Sequence, residues 1–400
     1  MNIYERFGVA RIINAAGTKT RLGGPRVRPS VQEAMNEASM DCARIEDLQT
    51  AASSIIARRC NAEAGFVTSG AWAGLTMAAA ACMAGLSLPR MAQLPNTDAP
   101  LSIPDEIIIP RFQRNSYDRA LQLAGARLIE VGVSDYYVGA GVRHTETWEL
   151  EAAIGERTVA VAYVAGKNAH PPLPEVASMA ERHGIPVIVD AAGQLPPVSN
   201  LPRFIDDGAA LVVFSGGKAL GGPQGTGFVA GRKDLIASMA LQSLDMDVNI
   251  ELWKPSPGLI PQDVKIPPRH GVGRGFKVSR EQIVGLLVAL ELYTEAFCCG
   301  EREKWLGLLG SVRSRMSSLV DVTTALQGQT NEFVVPTLEV DLSNSSHSAY
   351  QVLLQMQEGR PPIYLGEQKA DREILCVHPI ALDEECTRAI ADRLVNILGS

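Results

Sequence analysis

Between residues 65 and 230 the chain alternates short apolar runs with longer stretches in which apolar positions recur every three or four residues. The short runs are GFVT (65–68), EIIIP (106–110), RLIEV (127–131), TVAVAYV (158–164), PVIVD (186–190), ALVVFS (210–215) and GFVA (227–230). Rich in Val, Ile and Leu and lacking a polar face, they predict strands buried on both sides of a sheet. The helical patterns between them include YDRALQLAG (117–125), WELEAAIG (148–155) and PEVASMAERHG (174–184). Strands alternating with helices predict an α/β unit built on a mostly parallel sheet.

The flanks are organised differently. Residues 1–28 read as an irregular arm rich in Gly and Arg. Ser30 and Glu33 have capping-box spacing and predict a helix start before VQEAMNEAS, followed by a second helix over 46–60. Residues 86–104, with four prolines, predict a long loop. The Pro/Gly-dense segment 254–275 is the strongest boundary signal. Beyond it, Ser279 and Gln282 again have capping-box spacing and predict one long helix through VGLLVALELYTEAF. Strands over 333–341 and 373–378, and helices over 347–357 and 383–398, complete a smaller α/β unit. The expected division is an arm (1–28), a large domain (29–254), a linker (255–278) and a small C-terminal domain (279–400).

Composition narrows the classes. Hydrophobic residues make up 46% of the chain and charged ones 20%, the balance of a globular enzyme rather than a disordered chain. The net charge of −7 disfavours a nucleic-acid partner, since groupings such as Arg111/Arg114/Arg119 are diluted by apolar residues. The start of the chain lacks a secretory pattern, and the seven cysteines include no C-x-x-C, which suggests reduced thiols and a cytoplasmic location. The uncharged stretch 64–89 has the length of a membrane span, but its four glycines and many alanines predict strand, turn and buried helix. No membrane partner is expected, and the histidines show no metal-ligand spacing.

The chemistry concentrates in PVIVDAAGQLPP and LVVFSGGKALGGPQGTG. Asp190 ends one predicted strand, and Lys218 follows another in a turn made of Ser215, Gly216 and Gly217. The 28 residues from Asp190 to Lys218 accommodate a helix and a return strand, so both side chains should emerge at one sheet edge, where α/β sheets bind ligands. A lysine and a carboxylate so placed suit pyridoxal 5'-phosphate: the amine condenses with the aldehyde, and the carboxylate pairs with the protonated ring nitrogen. Ser215 is positioned to offer its hydroxyl to the phosphate. A second anion site is predicted in VTSGAWAG, where Ser69 and the N–H groups of Gly70 and Ala71 stand at a helix N-terminus.

These motifs carry a resemblance. INAAGTKTRLGG (13–24), EDLQTAA (46–52), AEAGFVTSGAWAGL (62–75), VDAAGQLPP (189–197), SGGKALGGPQGTG (215–227) and RHGVGRGFKVSREQIVGLLVALE (269–291) are similar to fold-type-I pyridoxal-phosphate enzymes. Within them the chain resembles the selenocysteine synthase-like group, on the side of the D-glucosaminate-6-phosphate ammonia-lyases. The resemblance implies an aspartate aminotransferase-like fold, Lys218 as the Schiff-base lysine and Asp190 as pyridinium partner. It also implies Ser69, Gly70, Ala71 and Ser215 around the phosphate, Gln194 near the ring 3'-oxygen, and a homodimer or higher homo-oligomer.

The reaction implied is α,β-elimination from a hydroxy amino acid or amino-sugar acid, giving a 2-oxo acid and ammonia. Racemisation, aldol cleavage and transamination remain alternatives, because the same lysine and ring serve all of them. A tRNA-dependent selenium transferase ranks behind these: INAAGT begins at Ile13, and Gly217 stands where that branch usually has Asp. Arg274 and Lys277 are candidates for a substrate carboxylate or phosphate, against the alternative of a solvated basic patch. Arg360 and Arg114 are further substrate candidates. Gln113 is a candidate for the cofactor face, and His170 for a ring contact or a purely structural role.

Overall fold

The structure, a computed structural model, describes residues 2–133, 144–167, 169–245, 247–330 and 334–399. Its strands in chain order are β1 (Ile13–Ala15), β2 (Ala64–Thr68), β3 (Glu106–Pro110), β4 (Arg127–Val131), β5 (Thr158–Val164), β6 (Val187–Asp190), β7 (Leu211–Ser215), β8 (Gly227–Gly231), β9 (Thr323–Gln327), β10 (Thr337–Asp341), β11 (Ile363–Lys369) and β12 (Ile374–Val377). They form a seven-stranded sheet ordered β2-β8-β7-β6-β5-β3-β4 and a five-stranded sheet ordered β1-β11-β12-β10-β9.

In the large sheet only β8 runs against its neighbours. Its strands are apolar on both faces because helices cover both. Ile107 and Ile109 enter one core while Ile108, pointing the other way, enters the other. The alanine-rich helix Ala71–Ala84 lies in the first of these cores and is buried almost throughout. The uncharged stretch is thus strand, glycine turn and core helix. Among the described residues, no single helix is long and apolar enough to cross a membrane.

Several sequence expectations need correction. The first long helix spans Pro29–Met40, with Pro29 in its first turn and Arg28 as N-cap, so Ser30 is inside it and does not cap it. The 86–104 loop contains a helix, Leu88–Gln93. The long helix after Ser279, correctly opened by a Ser279–Gln282 capping box, stops at Leu292. A second helix, Glu295–Arg315, departs at 89° because the Thr294 hydroxyl accepts the Phe297 N–H and starts it afresh. In the predicted 333–341 strand, Phe333 lies outside the described residues, and β10 begins at Thr337. The arm is not wholly irregular: β1 pairs in parallel with β11, Ile13 opposite Ile363, and so joins the small sheet.

Candidate active site

The large sheet brings its functional turns to one edge through register. Thr68 of β2 and Ser215 of β7 both pair with Gly227, the first residue of β8 between them. At about 4.8 Å per strand, the turns following Thr68 and Ser215 emerge roughly 10 Å apart. One strand further along, Asp190 closes β6 opposite Val213.

The turn after Thr68 is held in an anion-binding form. Gly70 has a φ of +91°, and the Thr68 hydroxyl donates to its carbonyl at 2.9 Å. The Gly74 N–H donates to the same carbonyl at 3.1 Å, and, against the sequence expectation, the Gly70 N–H is taken by Thr68 O at 2.9 Å, so the N–H groups left to face a ligand are those of Ala71 and the rest of the first helical turn. Gly227 is the floor beneath: a Cβ there would stand 2.7 Å from the Ala71 nitrogen and 2.8 Å from the Phe214 oxygen. The Ser69 hydroxyl donates to the Phe276 carbonyl at 3.2 Å, tying this turn to the segment that carries Arg274 and Lys277.

After β7 the chain folds tightly on itself. Gly216 N–H donates to Thr226 O, and Gly222 N–H returns to Gly216 O, both at 2.9 Å. Gly217 must lack a side chain because a Cβ would lie 2.5 Å from Gln224 Cα. Lys218 projects from this turn toward the loop after Asp190, where a Cβ on Gly193 would be 3.9 Å from its Nζ. Burial lowers the Lys218 pKa, and the Asp190 charge opposes that shift. Burial raises the Asp190 pKa, against the Ala192 N–H, which donates to Oδ1 at 3.0 Å, and the charge of Lys218. Among the described residues no other hydrogen bond reaches this carboxylate.

The donor set fits pyridoxal phosphate: an amine facing a sparsely hydrogen-bonded, part-buried carboxylate, with a helix N-terminus and the part-buried Ser215 at the same edge. Gln194 lies in the same loop as Gly193, its amide donating to Ala165 O at 2.8 Å. Arg274 is part-buried and bonds Asp245 at 2.8 Å through Nη2, while its Nε is buried without a partner. Lys277 is exposed next to Phe276.

Other predicted residues are engaged elsewhere. Arg114 is held by the carboxylates of Asp118 and Glu130. Arg360 is exposed before β11, its carbonyl accepting from Arg393 at 3.0 Å. Gln113 is buried, accepting from Val164 N–H at 2.8 Å and donating to His170 O at 3.0 Å, so it fastens β3 to β5. The His170 ring stacks on His144 at 4.6 Å. Among the described residues no three metal-ligating side chains converge.

Two features escaped the sequence reading. Gln224 is wedged against both Gly217 and Gly24, its Oε1 buried and unpartnered. Asn14 is buried, donating to Gly17 O at 3.0 Å and Gly24 O at 3.2 Å while accepting from Ala16 N–H at 3.0 Å. The only available signal was the density of small residues around each.

Comparison with known proteins agrees with this fold. Residues 104–248 match the family described as Aminotransferase class-V. The chain is 30% identical over 407 residues to a 5'-C-glycyluridine monooxygenase-decarboxylase of Streptomyces sp, covering 99% of this chain and 92% of the relative. It is 26% identical to the D-glucosaminate-6-phosphate ammonia lyase of Salmonella typhimurium, over 99% of this chain and 98% of that one. A solved structure of D-glucosaminate-6-phosphate ammonia-lyase superposes with a TM-score of 0.80 at 25% identity, covering 100% of this chain and 98% of the other. The chain therefore belongs to the fold-type-I, pyridoxal-phosphate-dependent enzymes of aminotransferase class V, in the group that joins D-glucosaminate-6-phosphate ammonia lyases with selenocysteine synthase-like proteins.

Proposed function

We propose that this enzyme binds pyridoxal 5'-phosphate on Lys218 and catalyses α,β-elimination from a hydroxy amino acid or amino-sugar acid. The observation that carries the reading is the convergence of Lys218, Asp190 and the Ser69–Ala71 turn on one sheet edge. Bound there, the cofactor supplies an aldehyde carbon for amines and a ring that withdraws electrons from the substrate α-carbon. Ser69, Gly70, Ala71 and Ser215 would hold its phosphate, Asp190 would pair with the protonated ring nitrogen, and Gln194 would serve the ring 3'-oxygen. Arg274 and Lys277 bind the substrate anion, with Arg360 and Arg114 as further candidates whose present positions favour them less.

Lys218 then acts as an acid–base group. Lowered by burial, its free amine takes the α-proton, and the resulting ammonium delivers a proton to the departing β-hydroxyl, which leaves as water. The released enamine tautomerises and hydrolyses, so the net products are a 2-oxo acid and ammonia. The resemblance supports a homodimer or higher oligomer, and the absence of disulfides among the described cysteines is compatible with a cytoplasmic enzyme. The domain division proposed is an arm, a large domain over 29–254, a linker and a small domain over 279–400, whose first helix, Arg280–Leu292, packs into a core of the large sheet.

The relative at 30% identity favours one second reading, loss of CO2 with consumption of O2. Product analysis on hydroxy amino acids separates the possibilities. Elimination predicts equimolar ammonia and 2-oxo acid without oxygen uptake. Oxygen uptake with CO2 release, or a stoichiometric demand for an amino acceptor, would replace it by the second reading or by transamination.

A further inference from the structure

Lys218 opens a four-residue turn, its carbonyl accepting the Gly221 N–H at 2.9 Å. Gln224 packs against this turn at Gly217. Arg28, from the N-terminal segment, packs against it further along and touches two of its residues. Nη2 of Arg28 donates to the Ala219 carbonyl at 3.4 Å. The guanidinium also lies against Gly221, whose φ is +73°: a Cβ there would stand 2.6 Å from Cζ and 2.9 Å from Nε.

Arg28 is itself held at both ends. Its backbone is the N-cap of the helix Pro29–Met40, with the carbonyl accepting the Gln32 N–H at 2.9 Å. Its guanidinium lies over the Phe297 ring, Cζ 4.0 Å from the centroid. Phe297 belongs to the helix Glu295–Arg315 and lines a small pocket together with Ala219 and with Pro196 and Pro197 of the loop after Asp190.

This is a costly place for a cation. Nη1 is buried without a partner, burial lowers the guanidinium pKa, and among the described residues no carboxylate forms an ion pair with it. A leucine or methionine would serve packing as well. What the guanidinium adds is a donor for Ala219 O and a flat, thin group that fits against Gly221 while lying over Phe297.

We propose that Arg28 is a positioning residue for Lys218: by gripping the second and fourth residues of the turn, it fixes the direction in which the lysine amine is presented. The proposal rests on the reading of Lys218 as the cofactor-binding lysine.

The test uses the full chain loaded with pyridoxal 5'-phosphate and measures visible circular dichroism per bound cofactor, which reports how uniquely the ring is oriented on its lysine. R28M keeps the length and apolar packing of the side chain. It should still carry the cofactor on Lys218 but lose about half of the signal or more, the scale on which one hydrogen bond selects between orientations. R28A should lose at least as much. Guanidinium chloride at about 20 mM, far below denaturing concentrations, should restore most of it, whereas potassium chloride at the same concentration should not, because only the planar fork fits the site. V352A, a truncation in the small-sheet core, should keep the wild-type signal although it lowers stability. A full wild-type signal in R28M, no recovery of R28A with guanidinium, or an equal loss in V352A would overturn the proposal. Failure of the cofactor reading is told apart by the wild-type chain, which would itself carry no cofactor on Lys218, and it would take the proposal with it.

Discussion

At Lys218 burial and charge pull in opposite directions, and burial prevails: the amine is lowered although Asp190 stands beside it. This suits a group that must give up its proton to work as a base. Asp190→Asn keeps size but removes the charge that would hold the ring nitrogen protonated. It should lower kcat by about 10²-fold or more while the cofactor's absorbance persists, measured by steady-state kinetics beside a spectrum. His378 gives a stability prediction. Its folded pKa of about 4 lies below the usual 6.5, so the unfolded chain binds more protons between those values. Stability should therefore fall as pH drops from 6.5 to 4, by about 3 kcal/mol from this group, with no further loss below. In His378→Gln that portion of the slope should vanish in urea titrations across the window. Asp190 and Lys218 were legible because each follows an apolar run and is flanked by small residues. His378 was not, since a histidine before proline carries no pattern and its neighbours Gly17 and Ala15 are more than 350 positions away.

Among elements, the turn between β2 and the helix Ala71–Ala84 depends on what lies under it. Gly227→Ala would drive a Cβ into the backbone of Gly70, Ala71 and Phe214. Chemical denaturation should show a loss of about 1–3 kcal/mol, and cofactor affinity should fall with it. Gly275→Ala, where nothing lies within 4 Å, should leave both unchanged. Strands of the large sheet were readable almost to the residue because burial on both faces leaves continuous apolar runs. The break between Leu292 and Glu295 was hidden, since the apolar residues run on across it and only Thr294, a capping residue, marks it. Arg114 shows the same limit: as a cation it looked available, but Glu130, on the neighbouring strand β4, comes close only in the fold.

In the whole molecule, the N-terminal segment binds the two sheets together. β1 extends the small sheet, while Lys19 pairs with Glu367 at 2.7 Å and Gly24 meets Gln224 next to the lysine turn. Three residues of strand with a partner some 350 positions away leave no periodicity to read, so the arm looked irregular. Asn14→Ala removes three buried hydrogen bonds and should cost about 2–3 kcal/mol. The loss should appear as a lower thermal midpoint and as faster hydrogen exchange in both β11 and the 216–224 turn. The central claim concerns one bond on one side chain. Incubation of the purified chain with pyridoxal 5'-phosphate, borohydride reduction and peptide mass spectrometry should place the phosphopyridoxyl group on Lys218 and nowhere else in stoichiometric amount. A reduced chain with Lys218 unmodified would contradict the account.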